Sequence, residues 1–231
     1  MCGRYGRFSR KQRLEQVLGF AIEGGDDLGI RYNVCPGLPD WVIKRPAASV
    51  PRFAQLEWGL LPSWAKNRTA TSRPINARAE TVAEKPMFRD LLRSRRCVVP
   101  ADGYYEWRTT SSGKVPFWFR LKSEEPFFLA GLWDSWHEAK ADAVTSYILM
   151  TTEPNEIAAK VHDRMPVLLH ARDVPRWLDS AVKDSDEIVG LLRPYPAEEM
   201  EARPVSRRVS DPQSEGPELI ELDDSVRELW D

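Results

Sequence analysis

Among the 231 residues of this chain, Cys2 has the type and position that carry the most chemistry. Cytosolic trimming of an initiator methionine is favoured when a small residue follows, so loss of Met1 leaves Cys2 with two nucleophiles on adjacent carbons. An α-amine has a reference pKa of about 7.7–8.0 and a thiol about 8.5, so a useful fraction of each is reactive near neutrality. That pair suits an aldehyde. The amine condenses to a Schiff base, and the thiol closes on the same carbon to give a five-membered thiazolidine. Position alone leaves open that Cys2 is an accident of the start site. Two further residues have types suited to proton transfer. Glu106 lies between Tyr105 and Trp107, and His162 is accompanied in the sequence only by His137 and His170. For these, a solvent-facing strand position and a helix cap are the plain alternatives.

The elements that must position them can be read from periodicity. Residues 9–18 begin on a capping serine, set Leu14, Val17 and Leu18 on one face and stop at Gly19, which predicts a short amphipathic helix. Residues 152–161 open on a threonine cap with an early proline and a first-turn acid, which predicts a helix whose end delivers His162. A third short helix is expected over 173–178 on the same signals. The segments 53–60, 97–99, 104–108, 117–121, 127–133 and 147–151 are aromatic and β-branched and are broken by turns such as Ser111-Ser112-Gly113, as strands are. Short strands, few helices and no regular alternation predict an α+β fold. The expectation is a single domain with a largely antiparallel sheet or open β-barrel-like core and a few short flanking helices. No linker parts two domains, so the expected organisation is one domain over 1–212 and an acidic C-terminal tail over 213–231.

Composition excludes several classes. At 42% hydrophobic and 29% charged residues, the chain is expected to bury one ordinary core. Its longest apolar stretch, 127–133, is far short of the roughly 20 residues of a membrane-spanning helix, and no signal-peptide core opens the sequence. Cys2, Cys35 and Cys97 are odd in number and form no CxxC pair, so neither a disulfide framework nor a zinc ribbon fits, and a cytoplasmic location is expected. The net charge of −2 conceals an uneven distribution. Residues 1–13 carry Arg4, Arg7, Arg10, Lys11 and Arg13 with no acid, and 66–96 is rich in bases against only Glu80, Glu84 and Asp90. The tail from Glu215 onward is acidic, with Arg227 its one base. Two basic segments converging in space would make an anion-binding face; scattered solvated charge is the alternative.

Six motifs then occur in order. They are Met1-Cys2-Gly3-Arg4-Tyr5, Tyr32-Asn33-Val34-Cys35-Pro36-Gly37, Trp58-Gly59-Leu60-Leu61-Pro62-Ser63-Trp64, Ile75-Asn76-Ala77-Arg78-Ala79-Glu80-Thr81, a run from Arg96 to Trp107 containing Asp102-Gly103-Tyr104-Tyr105-Glu106-Trp107, and Val161-His162-Asp163-Arg164-Met165-Pro166. Together they closely resemble the SRAP family, the SOS-response-associated peptidases understood as abasic-site-processing proteins, over residues 2–209.

The resemblance implies a DNA-damage protein that senses abasic sites in single-stranded DNA and cross-links to the ring-opened sugar aldehyde through Cys2, shielding the lesion. It implies lyase-type Schiff-base chemistry with single-turnover cross-linking. Cys2 is then the nucleophile, and Asn76, Glu106 and His162 complete the site. Glu106 would accept and return the amine's proton, His162 would donate to the sugar ring oxygen, and Asn76 would orient the amine or the opened sugar. Arg4, Arg78 and Arg164 each stand two residues beyond Cys2, Asn76 and His162; in the extended segments expected for the first two, that spacing puts both side chains on one face, whereas Arg164 follows the expected helix end. Their expected task is to hold phosphate, with salt bridging to acids as the alternative. Asn33, Pro36 and an aromatic wedge at Trp64 complete the implied DNA contacts, the wedge stacking on a base. No cofactor and no metal are implied. The expected partner is single-stranded DNA carrying abasic sites, with no membrane, a monomeric protein, nucleoid association when bound and replication-fork proteins as further candidates. Ser210 stands where an asparagine is common in the family. Two other readings stay open: a cysteine peptidase using Cys2 and His162, including self-removal of Met1, and a non-covalent single-stranded DNA binder.

Overall fold

Short apolar and β-branched runs, punctuated by glycine and proline, fold into strands through most of the chain. The computed structural model describes residues 2–46, 49–69, 72–111, 113–137 and 143–223. Met1, Ser112 of the expected turn and the tail beyond Asp223 lie outside the described residues. The elements in order are β1 (Tyr5–Arg7), α1 (Lys11–Leu18), β2 (Arg31–Val34), β3 (Pro39–Lys44), β4 (Arg52–Trp58), β5 (Asn76–Arg78), α2 (Arg89–Ser94), β6 (Arg96–Ala101), β7 (Gly103–Thr110), β8 (Gly113–Leu121), β9 (Phe127–Trp136), β10 (Val144–Thr152), β11 (Met165–Pro166), β12 (Leu168–Leu169), α3 (Val174–Leu178), α4 (Ser185–Val189) and β13 (Met200–Pro204).

One sheet runs β13-β8-β7-β1-β2, antiparallel throughout. In the other, β10-β4-β3-β6-β9 returns to β10 through the β9–β10 pairing, so five strands close on themselves. Closure removes the exposed strand edges that an open sheet would leave. β5 and β11 attach to β10, and β12 to β9. Among the described strands, β10–β4 and β10–β5 are the parallel pairings. This is the expected single-domain α+β architecture: largely antiparallel sheets, a barrel-like core and a few short helices. Among the described residues, no helix is long and apolar enough to cross a membrane.

Two local expectations are corrected. The helix predicted over 152–161 is not formed. Thr152 ends β10, and only the 3-10 turn Ala158–Lys160 is helical, capped by Asn155 Oδ1, which accepts from Ala158 N at 2.9 Å. Once Thr151 and Thr152 pair with β11, the ladder bonds outweigh the capping signals of the sequence. In α1, Ser9 is not the cap. Its hydroxyl bonds Asp102 instead, and the helix starts after Arg10 and ends on Gly19 in the left-handed region, φ 75°.

Two packing features set the position of the chain's first residues. The Trp118 ring lies across the paired glycines Gly6 and Gly103, where a Cβ on Gly103 would overlap it, so β1 and β7 can pair in this register only with glycine there. Behind β1, Asp40 is buried, accepting from Tyr5 Oη at 2.6 Å and pairing with Arg7 Nη2 at 2.7 Å. Tyr5 Oη also lies 2.8 Å from Tyr147 Oη of β10, which ties the two sheets together. Leaving either charge of such a buried pair alone costs about 3–5 kcal/mol.

The segment set apart in the sequence as the start of an acidic tail is docked as far as Asp223. Leu219 is fully buried in the cluster with Tyr105 and Trp118, and Glu215 pairs with Arg31 at 2.7 Å.

Candidate active site

Cys2 precedes a strand held on both sides. Tyr5 pairs with Tyr104 and Gly6 with Gly103, and Tyr105 N donates to Arg4 O at 2.9 Å. Continued one residue further, that register places Gly3 opposite Glu106, so the first residues of the chain run alongside the proposed proton carrier. Cys2 is fully buried. Burial, followed by the nearby Glu106 carboxylate, pushes its thiol up to about 12, so at neutral pH it is a thiol and not a thiolate. Glu106 is itself only 6% exposed. Tyr104, two residues before Glu106 and hence on the same strand face, feels both Cys2 and Glu106, and its buried hydroxyl has no hydrogen-bond partner.

Asn76 arrives on β5, whose register on β10 sets Asn76 against Leu149 and Arg78 against Thr151. Its Nδ2 donates to the carbonyl oxygen of Cys2 at 2.8 Å, while its Oδ1 is buried without a partner. The peptide ahead of it is fixed twice, because Ile75 O accepts from Leu149 N and from Trp58 Nε1, each at 3.0 Å. Trp58 is fully buried and was not singled out from the sequence for this task.

His162 and Arg164 lie on the loop between the 3-10 turn and β11. His162 Nδ1 accepts from Arg164 N at 3.1 Å and also stands 2.7 Å from Asp163 Oδ1. One ring nitrogen cannot serve both in the neutral imidazole. Nδ1 accepts from Arg164 N when it carries no proton and donates to the 85% exposed Asp163 carboxylate when it does. Arg164 grips Glu80 with two bonds, at 2.8 and 2.9 Å, and donates to Thr151 O at 2.7 Å. That grip lowers the Glu80 carboxyl. Arg78, opposite Thr151 on β5, is exposed. Beside Asn76 and Arg78 opens a cavity of about 440 Å³ with Pro74, Met87 and Phe88 among its apolar lining. A cavity of about 500 Å³ beside Lys11 and Asp26 contains none of the predicted residues.

The structure therefore brings Cys2, Asn76 and Glu106 together from three remote segments and sets His162 on a loop tied to the neighbouring strand. The predicted DNA contacts divide. Trp64 is 60% exposed on a loop held by Leu61 N to Ser146 Oγ, Ser63 N to Asp134 Oδ2 and Trp136 Nε1 to Ala65 O. Pro36 sits half-buried on the turn after β2, with the next residue, Gly37, donating to Trp58 O at 2.7 Å. Both loops thus leave the Trp58 end of β4. Asn33 is fully buried, its amide donates to Asp211 O at 2.9 Å and Ser214 O at 2.8 Å, and its Oδ1 accepts from Arg4 at 2.7 Å. It therefore holds Arg4 and the 209–214 segment together. Arg4 is also bound to Val209 O at 2.7 Å and lies over the Trp107 ring. Ser210, the departure noted in the sequence, accepts from Trp107 Nε1 at 3.0 Å. Cys35, buried, directs its thiol at Asn33 O. Among the described residues, no cluster of three His, Cys, Asp or Glu is placed to hold a metal ion.

Comparison with known proteins adds a frame for this geometry. Residues 1–212 match the family model described as SOS response associated peptidase (SRAP). The chain is 40% identical over 225 residues to abasic site processing protein YoqW of Bacillus subtilis, covering 96% of this chain and 99% of that one. It is 30% identical over 189 residues to abasic site processing protein HMCES of Gallus gallus, covering 71% of this chain and 56% of the longer relative. A crystal structure of a protein from Bacteroides thetaiotaomicron superposes with a TM-score of 0.84 at 26% identity, over 96% of this chain and all of that one.

Proposed function

The chain belongs to the SRAP family, and from that premise we propose that it caps abasic sites in single-stranded DNA by a thiazolidine cross-link at Cys2. The observation that carries this reading is the meeting of Cys2, Asn76 and Glu106. An amide bond fixes the Cys2 backbone, and a buried carboxylate stands close enough to act on the thiol.

Loss of Met1 by hydrolysis turns the Cys2 amide nitrogen into an amine. In this reading the Oδ1 of Asn76, which has no partner among the described residues, accepts a hydrogen bond from it. His162 donates a proton to the sugar ring oxygen while the anomeric hydroxyl gives up its proton to water, and the closed hemiacetal opens to the aldehyde. The amine adds to the aldehyde carbon. Glu106 relays the two amine protons in turn to the departing oxygen, so one water leaves and an imine forms. The thiol then adds across the C=N bond, its proton passing through Glu106 to nitrogen. Because burial keeps the thiol neutral, the amine acts first and ring closure needs the nearby carboxylate. In this reading exposed Arg78 holds the adjoining phosphate, and exposed Trp64 stacks on a neighbouring base. Arg4 and Arg164 already have partners and shape the site's walls.

A peptidase at rest would call for a thiolate, and burial beside a carboxylate opposes one. The test is incubation with an abasic-site oligonucleotide followed by a denaturing gel. The wild type is expected to give a shifted band that Cys2→Ala abolishes. Cys2→Ser should give a linkage that persists only after borohydride reduction. A band unchanged by Cys2→Ala would overturn the reading.

A further inference from the structure

A second cluster of cations lies away from Cys2. Lys44, Arg45, Arg52, Arg95 and Lys183 surround a cavity of about 440 Å³, with Trp133 in its wall and no acid among its lining residues. Lys44 ends β3 and Arg52 begins β4, so the cavity lies at the opposite end of that hairpin from Trp58 and Asn76. Six residue steps along β4 make this about 20 Å.

Lys44 lies over the Trp133 ring at 4.2 Å, and its ammonium is pushed below the usual lysine range, by burial first and then by Arg52. Among the described residues, Arg95 is the one of the five with an ion pair, to the buried Asp134, and the other four repel one another across the cavity. Asp134 also connects the cavity to the wedge loop, because its other oxygen accepts from Ser63 N at 2.7 Å, next to the exposed Trp64. Each face of Trp133 that meets Lys44 or Arg95 supports a cation, so phosphate oxygens suit this cavity better than a stacked base.

We propose that this cavity is a second nucleic-acid site, taking phosphodiester oxygens of a DNA strand that leaves the Cys2 site past Trp64. It rests on the proposed function only in taking DNA as the ligand. It needs no lesion and no covalent bond. At about 3.4 Å per stacked nucleotide, a strand requires about six nucleotides to span both sites.

The test uses the whole chain and undamaged single strands of 4 and 20 nucleotides, with affinity measured against salt. Loss of three phosphate contacts lowers the salt slope on single strands by about 2. A Lys44→Gln, Arg52→Gln, Lys183→Gln variant is therefore expected to show that drop on the 20-mer and a smaller one on the tetramer, which occupies one of the two sites at a time. Lys183→Glu, an exposed single change, should lower 20-mer affinity in the same direction if the triple variant folds poorly. Equal slopes for wild type and variants would overturn the proposal. So would variants that lose inorganic tripolyphosphate binding yet keep full 20-mer affinity, since the cavity would then serve a free phosphate compound. Cross-linking to a short abasic strand, read separately, is expected to be unchanged in the variants. If the wild type fails to cross-link while the slopes still differ, the Cys2 reading fails alone.

Discussion

The side-chain amide of Asn76 donates to the Cys2 carbonyl oxygen at 2.8 Å, a bond between residues 74 positions apart, while its own carbonyl oxygen is left buried and unpartnered. Half of the side chain holds the nucleophile's backbone, and the other half awaits a donor.

Asn76→Ala is expected to slow adduct formation by about 10²-fold, the scale of effect when a reacting group is misplaced by an ångström. Stability should fall by only about 1 kcal/mol for one lost hydrogen bond. Single-turnover gel kinetics beside a denaturant melt separate the two effects.

Glu106→Gln separates charge from proton transfer. The carboxylate helps hold the Cys2 thiol up, so its removal makes the thiol easier to ionise. If Glu106 acted only through that charge, cross-linking would speed up. As a proton carrier its loss slows the reaction by about 10²–10⁴-fold. Single-turnover rates with the abasic strand show the sign.

Alkali should weaken the fold in a way that Cys2 reports. Its thiol rises to about 12 on folding, so the native state holds that proton more tightly than the unfolded chain. The resulting stability is present below about pH 9 and is lost as pH climbs toward 12. Buried Cys97 shifts in the same direction. The difference between denaturant melts at pH 7 and pH 10 should be smaller in Cys2→Ala than in the wild type.

Gly103→Ala tests whether strand register places Cys2. The added Cβ meets the Trp118 ring where β1 and β7 pair. Overpacking of this kind costs about 1–3 kcal/mol. A β1 displaced from β7 moves Cys2 away from Glu106, so a thermal melt should fall together with the cross-linking rate, whereas a change confined to stability would leave the rate of the folded fraction intact.

Legibility in the sequence followed the physical range of each signal. The long strands β7 to β10 were readable because their apolar runs are continuous, whereas β1, β5, β11 and β12, of two or three residues, have too few positions to show a period. Closure of the barrel through β9–β10 and the parallel docking of β5 are non-local pairings that no window of sequence contains. In the site, Cys2, Asn76 and Glu106 were found through residue type and motif. That Asn33 holds Arg4 in place is not legible in the sequence, because its burial depends on the 209–214 segment folding back across it. Tyr104 and Trp58 were overlooked as core aromatics. The spacing of two from Glu106 was the available signal for Tyr104. For Trp58, whose bond reaches Ile75, there was none.

Intact-mass measurement of the wild-type adduct tests the central claim most directly. The chain cross-linked to an abasic oligonucleotide should weigh the sum of the protein without Met1 and the oligonucleotide, less one water, with the linkage mapping to Cys2. An adduct that retains Met1, or that forms equally well in Cys2→Ala, would contradict it.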